Sequence, residues 1–298
     1  MSRLSASLFR DSVRGAMGSL RYRTPANGLG RGAWGLKERI AGGHADITLL
    51  QPNRFEAELT SDNYCEAVAV GWREGSLRVA NQMRAAKRVA DDAAIPCAWV
   101  LVSVYYAAFF AAVELLRATG VWVTYFDESQ VQGIKSSAIG SPSLELSAGT
   151  YIGRAHWDSH SGLNRIVFSR VAGSPHKVVW KEIGDGLLSP AVASDAALWD
   201  QVQRFERFVG RGANDWGTPS ETRNKWNYQQ AALFGGRGEV QGRTLRKIVR
   251  NQSSAYAWAT DRRLRRSEES RAAAVGYVMF VLEEIIAHTN DIVAPSGK

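Results

Sequence analysis

The sequence lacks several residue patterns on which common enzyme classes depend. Only two of its 298 residues are cysteines, Cys65 and Cys97, too few for a disulfide framework or a cysteine-based zinc site. No GxxxxGK[ST] phosphate loop is present, and neither is a serine or cysteine hydrolase signature. These absences argue against P-loop nucleotide hydrolysis and nucleophilic acyl transfer, and the cysteine usage favours a reducing cytoplasm.

The longest uncharged run covers residues 97–113, at the lower edge of what can cross a bilayer. It contains the polar side chains of Ser103, Tyr105 and Tyr106, and Glu114 and Arg117 follow it within about one turn. Packing of an amphipathic helix explains this pattern better than a membrane span. We therefore expect no membrane association.

Positive charge is abundant but local. The formal net charge is +8, and 45% of the residues are hydrophobic, as in an ordinary soluble protein. Residues 243–266 contain eight arginines and lysines against the single acid Asp261, and residues 1–55 contain nine against three acids. The rest of the chain is net acidic, so the basic stretches favour a binding surface for a polyanion such as nucleic acid.

The first 120 residues divide into two stretches. Residues 1–60 contain scattered glycines and short mixed segments, typical of loops with brief strands. Residues 61–120 are rich in helix formers and have Ser61 or Asp62 as a candidate N-cap. Within them we predict a second helix over 97–118, with Pro96 near its first turn and Gly120 as its C-terminal cap.

The pattern changes twice in the remaining chain. Residues 121–190 show a period of two, and the segments 164–171 and 176–183, joined by AGSP, predict a β-hairpin. This stretch therefore reads as a β insertion. Residues 191–298 return to helical spacing and complete a predicted helical domain.

The stretch ETRNKWNYQQ, residues 221–230, concentrates polar side chains on a predicted helix. Thr218, Pro219 and Glu221 provide a helix start. On an α-helix, Arg223 and Asn227 share one face and Asn224 and Tyr228 form a second row, and the two rows can meet one phosphate. The alternative is an ordinary polar patch with Trp226 packed inward.

Two motifs resemble the HEPN (higher eukaryotes and prokaryotes nucleotide-binding) family. SVYYAAFFAAVELLRATG, residues 103–120, is similar to the signature of that family's first long helix. RNKWNY, residues 223–228, resembles its later arginine-plus-polar motif. The resemblance covers about residues 61–120 and 190–290, and leaves the N-terminal segment and the β insertion unexplained.

The resemblance carries expectations about fold and activity. It implies a mainly α-helical bundle, here with a β-hairpin insertion (121–190) and a glycine-rich N-terminal segment (1–60), and a homodimer or a subunit of a larger complex. Many HEPN proteins are metal-independent ribonucleases in antiviral defence or toxin–antitoxin systems. Arg223 would then stabilise the phosphate in the transition state, Asn224 would be its polar partner, Asn227 would position phosphate or the 2′-hydroxyl, and Tyr228 would line the pocket.

The sequence departs from the family pattern at one position. The family places a histidine four to six residues after the arginine, but Asn227, Tyr228, Gln229 and Gln230 occupy this region. Histidine is the side chain whose ordinary pKa best suits a general base near neutral pH. RNA binding without cleavage, or a non-catalytic adaptor that binds a partner protein or nucleoprotein, are therefore alternatives to ribonuclease activity.

The basic tract 243–266 is a second candidate surface. It can neutralise several phosphates, or it can be a solvated face paired with Glu268 and Glu269. Its candidate nucleic-acid-binding residues are Arg243, Arg246, Lys247, Arg250, Arg262, Arg263, Arg265 and Arg266.

His156 and His160 have a spacing that resembles a metal site. Their Trp, Ser and Gly neighbours instead predict a loop, and no third ligand is evident. We therefore expect neither a metal nor a cofactor.

Overall fold

A computed structural model describes residues 2–25, 34–139, 144–186, 196–210, 216–229, 231–261 and 263–293. Arg262, one of the predicted nucleic-acid-binding residues, lies outside them. The helices are α1 Ser2–Ser19, α2 Leu36–Ala41, α3 Ser61–Asp91, α4 Cys97–Ala118, α5 Glu128–Ser137, α6 Pro175–Gly186, α7 Ala196–Phe208, α8 Pro219–Asn224, α9 Gly236–Arg250, α10 Gln252–Ala259 and α11 Glu268–Val293. The strands are β1 Asp46–Gln51, β2 Arg54–Thr60, β3 Val121–Phe126, β4 Ala138–Ile139, β5 Gly149–Asp158 and β6 Leu163–Arg170.

The strands form one six-stranded mixed sheet in the order β3-β5-β6-β2-β1-β4. All neighbours are antiparallel except β1 and β4, which are parallel. The protein is therefore an α/β protein, and the prediction of a mainly helical bundle with a hairpin insertion is wrong. The strands after residue 120 do not form a separate insertion, because β6 pairs along its length with β2 from the N-terminal segment.

Side chains along β2 and β6 alternate between the buried face of the sheet and its opposite face. Phe55, Ala57 and Leu59 are buried on one face while Glu56 and Glu58 point to the other. The buried face carries a cluster of aromatic rings with centroids 4.9–6.0 Å apart. The rings are those of Phe55, Phe126, Tyr151 and Phe168.

The predicted hairpin of 164–171 with 176–183 is wrong in its second half. β6 is present, but residues 175–186 form the helix α6, and β6 pairs with β5 instead. Pro175 lacks the N–H that a central strand needs, and its φ suits the first turn of a helix. Val179 and Ile183 lie four residues apart and are both buried, which is helical spacing.

The N-terminal segment is also more regular than predicted. It contains the helices α1 and α2 and the paired strands β1 and β2, where loops with brief strands were expected. Val13, Met17 and Leu20 are buried at helical spacing along and just beyond α1. The glycines and serines between them hide this pattern in the sequence.

Other helices agree with the prediction. α4 occupies residues 97–118, and Gly120 follows it with φ +80°, a left-handed conformation that suits glycine. α3 begins at Ser61, but its cap is Thr60, whose hydroxyl accepts a hydrogen bond from the Asn63 N–H at 3.3 Å, so the predicted cap at Ser61 or Asp62 is wrong.

Within residues 191–298, which were predicted to be helical, α9 and α10 are separate helices divided at Asn251. The side chain of Asn251 accepts hydrogen bonds from the N–H groups of Ser253 and Ser254 and so begins α10.

The chain divides into two compact units. The first, called here the helical unit, comprises Met1–Arg10, Ser76–Ala112 and Val179–His288. The second, the sheet unit, comprises Asp11–Gly75, Val113–Val178 and Thr289–Lys298 and contains all six described strands. Every predicted site residue belongs to the helical unit.

Two helices, α4 and α11, are long and apolar enough to cross a bilayer by length and composition. Their apolar windows are 72% and 78% buried inside the protein. Burial of this extent is typical of the core helices of a soluble protein, and the two helices are consistent with one.

Candidate phosphate-binding site

The helix that carries Arg223 begins as the sequence predicts. The Thr218 side chain accepts a hydrogen bond from the Glu221 N–H, and the Glu221 carboxylate accepts one from the Thr218 N–H at 2.8 Å. Pro219 occupies the first helical position. This capping box fixes the start of α8, and with it the position of Arg223 one turn later.

The helix then changes its pitch. Residues Lys225–Gln229 form a π-helical turn, which has more residues per turn than an α-helix. As a result Arg223 and Tyr228, five residues apart, come together, and the Arg223 Nη1 donates a hydrogen bond of 3.5 Å to the Tyr228 hydroxyl. The sequence analysis placed Arg223 beside Asn227 and Asn224 beside Tyr228, which is correct only for the pitch of an α-helix. Because the pitch changes, these two predicted rows are wrong.

The Arg223 guanidinium is surrounded by tyrosine rings. It lies 4.8 Å from the ring centroid of Tyr105, 5.6 Å from that of Tyr106 and 5.7 Å from that of Tyr228. Tyr105 and Tyr106 belong to α4, so the two sequence motifs meet at this point. We call these four residues the Arg223 site. Each cation–π contact contributes on the order of 0.5–2 kcal/mol.

The charge in the Arg223 site has no acidic partner among the residues that the structure describes. Arg223 is only 6% exposed, and its Nε atom has no hydrogen-bond partner. Within the described part of the chain no carboxylate forms an ion pair with it. A buried cation without an anion costs free energy, and aromatic faces offset only part of that cost. The geometry is therefore suited to an anionic ligand such as a phosphate.

The phenols of the site differ in exposure. Tyr105 is fully buried, and burial raises the pKa of its phenol, an effect that the neighbouring Trp180 and Arg223 partly oppose. Tyr228 is 71% exposed and lies at the surface of the site. A phenol with a raised pKa keeps its proton at neutral pH, so Tyr105 is not a general base there.

The remaining residues of the stretch have separate roles. Trp226 is fully buried, while Asn224 and Asn227 are half-buried and form no side-chain hydrogen bond with the described residues. Lys225 forms an ion pair of 2.5 Å with Glu268 at the start of α11. Two side-chain amides that form no hydrogen bond with the described residues thus lie within four residues of Arg223 along the chain.

Two arginines of the basic tract, Arg246 and the exposed Arg250, donate hydrogen bonds to backbone carbonyl groups. Arg246 donates hydrogen bonds to the carbonyl oxygens of Ala90 at 3.1 Å and Asp92 at 2.8 Å, and also to that of Ile95. Arg250 donates to the Ala90 and Asp91 carbonyl oxygens, both at 3.1 Å. These arginines bind the C-terminal carbonyl groups of α3, which the helix itself cannot satisfy.

Five other residues of the tract are exposed to solvent, and among the residues the structure describes no carboxylate forms a salt bridge with any of their side chains. They are Arg243, Lys247, Arg263, Arg265 and Arg266. Glu268 and Glu269, the partners expected for a solvated face, instead contact Lys225, Arg271 and Thr244. The exposed residues are therefore available for phosphate contacts.

Sequence reasoning did not identify the buried partners of α9. Glu239 accepts a hydrogen bond from the Cys97 N–H at 2.7 Å and so caps the start of α4. Burial and Glu239 raise the pKa of the Cys97 thiol to about 11, so it is protonated and unreactive at neutral pH. The pattern of E-x-x-G-x-x-x-R on α9 gives no local signal for a contact about 140 residues earlier in the chain.

The histidines do not form a metal centre in the described structure. His156 lies in β5 and His160 in the turn that follows, so the predicted loop is a strand at His156. Among the described residues no cluster of three histidine, cysteine, aspartate or glutamate side chains is arranged to hold a metal ion.

No protein-family model, curated protein or solved structure matches this chain. The resemblance to the HEPN family thus depends only on the two motifs that meet in the Arg223 site.

Proposed function

We propose that this protein binds RNA through the Arg223 site. The observation that carries the proposal is the buried guanidinium of Arg223, held on three tyrosine rings without a carboxylate partner in the described chain. A phosphate oxygen at the Nε atom would supply the missing acceptor and the missing negative charge. Tyr228 is exposed and joined to Arg223 by one long hydrogen bond, so its phenol can move aside at small cost.

The half-buried amides extend the site. Asn224 and Asn227 can donate to phosphate oxygens and accept from the 2′-hydroxyl, which distinguishes RNA from DNA. The exposed residues Arg243, Lys247, Arg263, Arg265 and Arg266 add attraction for the phosphate backbone. Arg246 and Arg250 are left out of this set because they donate hydrogen bonds to backbone carbonyl groups at the end of α3.

The site supports binding better than strand cleavage. Cleavage without a metal needs a group that accepts a proton near neutral pH. No described histidine forms a hydrogen bond with Arg223 or Tyr228, and the nearest buried phenol has a raised pKa. On the motif resemblance we extend the proposal to a cytoplasmic, HEPN-related protein of prokaryotic antiviral defence or toxin–antitoxin function, acting as a homodimer or within a complex.

The test is a binding titration with labelled RNA over a series of salt concentrations. Arg223→Met should weaken binding about tenfold or more, as expected for loss of a hydrogen-bonded charge. Its salt slope should fall by about 0.7, the contribution of one phosphate contact on a single strand. The matched control is Arg84→Met, which removes the same charge from an exposed arginine of the helical unit. Equal binding by the wild type and Arg223→Met would contradict the proposal.

Cleavage is tested in the same samples. We expect RNA incubated with the protein and EDTA to remain full length. Cleavage that disappears in Arg223→Met would instead show a metal-independent ribonuclease, and absence of both binding and cleavage would favour the protein-binding adaptor.

A further inference from the structure

A row of aromatic side chains follows the outer face of α4. Trp99, Tyr106 and Phe110 are spaced seven and four residues apart, so they lie on one side of the helix within about 40°. Trp99 is 48% exposed, and Tyr106 and Phe110 are half-buried. We call these three residues the α4 aromatic row. The helical rise spreads them over about 16 Å.

Two arginines from other helices lie against this row. The Arg78 guanidinium is 4.9 Å from the ring centroid of Phe110, and the Arg223 guanidinium is 5.6 Å from that of Tyr106. The Tyr106 and Phe110 rings are 5.9 Å apart. The result is an unbroken series of contacts from Arg78 through Phe110 and Tyr106 to Arg223.

Two further rings, those of Tyr228 and Trp99, are exposed to solvent. Tyr228 lies beyond Arg223, at 5.7 Å. Trp99 lies two turns before Tyr106, and the Phe234 ring supports it in an edge contact at 5.9 Å. Rings that are buried in a core need no further explanation, but Tyr228 and Trp99 present large aromatic surfaces to solvent, and Tyr228 does so beside the Arg223 guanidinium.

We propose that the α4 aromatic row, with Tyr228, is a stacking platform for single-stranded RNA. Bases stack on the exposed rings of Trp99 and Tyr228, while Tyr106 and Phe110 hold the guanidinium groups of Arg223 and Arg78 against the phosphates. Aromatic rings alternating with cations bind single strands because unpaired bases have free faces and a continuous run of phosphates. In a duplex the bases are already stacked, so the platform discriminates against it.

The inference rests on the proposed function, since Arg223 supplies a phosphate contact to both. The experiment compares three ligands of equal length by fluorescence anisotropy: a single strand, its duplex, and a strand whose central nucleotides lack bases. The proteins are the wild type, Trp99→Ala, Tyr228→Ala, Trp99→Phe, and the control Tyr125→Ala, an exposed tyrosine of the sheet unit.

We expect the single strand to bind more tightly than the duplex and the abasic strand. Trp99→Ala and Tyr228→Ala should each weaken single-strand binding by about tenfold, the effect of losing one stacked base. Trp99→Phe should retain most of the affinity, Tyr125→Ala should bind as the wild type, and Trp99→Ala should not weaken binding of the abasic strand further.

The experiment distinguishes failure of the stacking platform from failure of the proposed phosphate site. If duplex and single strand bind equally and Trp99→Ala and Tyr228→Ala bind as the wild type, while Arg223→Met still loses affinity, the platform is wrong and the phosphate site stands. If Arg223→Met also binds as the wild type, or no RNA binds to the wild type, both proposals are wrong. Circular dichroism and thermal unfolding of each variant exclude loss of the fold as the cause.

Discussion

Arg223 keeps a positive charge in surroundings that exclude most water. Three tyrosine rings contact its guanidinium, and its hydrogen bond to the Tyr228 hydroxyl is long, at 3.5 Å. Soluble proteins rarely bury a charge without pairing it, because desolvation costs more than aromatic contacts return. Where this occurs, the cost is commonly borne at a binding site, since the ligand supplies the missing partner.

The buried charge predicts that Arg223 lowers the stability of the protein and strengthens RNA binding. Arg223→Met keeps most of the side-chain volume and removes the buried charge. We expect its free energy of unfolding, measured by urea denaturation, to be unchanged or raised by about 1 kcal/mol, as when buried charges are replaced by apolar side chains. RNA affinity should fall in the same variant. A loss of stability above about 2 kcal/mol would show instead that Arg223 holds the fold together.

Among the elements, α9 carries a structural arginine next to an exposed lysine. Arg246 is 11% exposed and binds the end of α3, whereas Lys247 is exposed beside it. Arg246→Ala should lower the free energy of unfolding by about 2–3 kcal/mol, because the carbonyl groups of Ala90, Asp92 and Ile95 lose their donor. The salt dependence of RNA binding should be the same for Arg246→Ala as for the wild type.

Lys247→Ala is the matched control, and it should show the opposite behaviour. We expect its stability to stay within about 0.5 kcal/mol of the wild type. Its salt slope should fall by about 0.7 if Lys247 contacts a phosphate. Equal salt slopes for the wild type and Lys247→Ala would remove α9 from the RNA-binding surface.

The close approach of α9 to α4 depends on one glycine. A Cβ atom at Gly242 would lie 2.3 Å from the Cβ and 2.5 Å from the Sγ of Cys97. Gly242→Ala should therefore lower the free energy of unfolding by about 1–3 kcal/mol, since one of the helices must shift. Gly236, in the same helix, has nothing within 4 Å, so Gly236→Ala should leave stability unchanged or raise it by up to about 1 kcal/mol. Equal effects of the two substitutions on the urea midpoint would contradict this account.

The elements also show how far the sequence was informative. Local signals were sufficient for α4 and for the capping box of α8, because caps and helical spacing act within a few residues. They located the cap of α3 at Ser61 or Asp62, although Thr60 provides it. They failed for α6, whose valines and tryptophan imitate a strand. They also gave no indication that β2 pairs with β6, about a hundred residues later.

The candidate site was only partly predictable for the same reason. The two motifs identified α4 and the Arg223 stretch as a pair, and Arg223 does lie on the Tyr105 and Tyr106 rings. The π-helical turn was not predictable, because π-helical turns are rare and the sequence of residues 225–229 contains no signal for one. Without that turn, Tyr228 cannot be assigned to the same face as Arg223.

At the scale of the whole molecule, buried tyrosine and cysteine side chains make the free energy of unfolding depend on pH in the alkaline range. Burial raises the pKa of Tyr22 and Tyr64 in the sheet unit and of Tyr256 and Cys97 in the helical unit. In the unfolded chain these phenols and thiols ionise at their ordinary pKa, so the unfolded state releases protons first as pH rises. The free energy of unfolding must then fall with increasing pH above about 9, in both units.

Cys97 allows this linkage to be measured at a single group. Its pKa rises from 9.0 to about 11 on folding, so its contribution to stability is complete below pH 9.0 and is lost as pH rises to about 11. Cys97→Ala should be less stable than the wild type at neutral pH, because the side chain is fully buried against α9. In urea titrations the difference between the two proteins should stay constant up to about pH 8 and narrow between pH 9.0 and about 11, because only the wild type loses this group's contribution. Parallel curves through that range would show that the Cys97 thiol ionises equally in the folded and unfolded states, contrary to its burial beside Glu239.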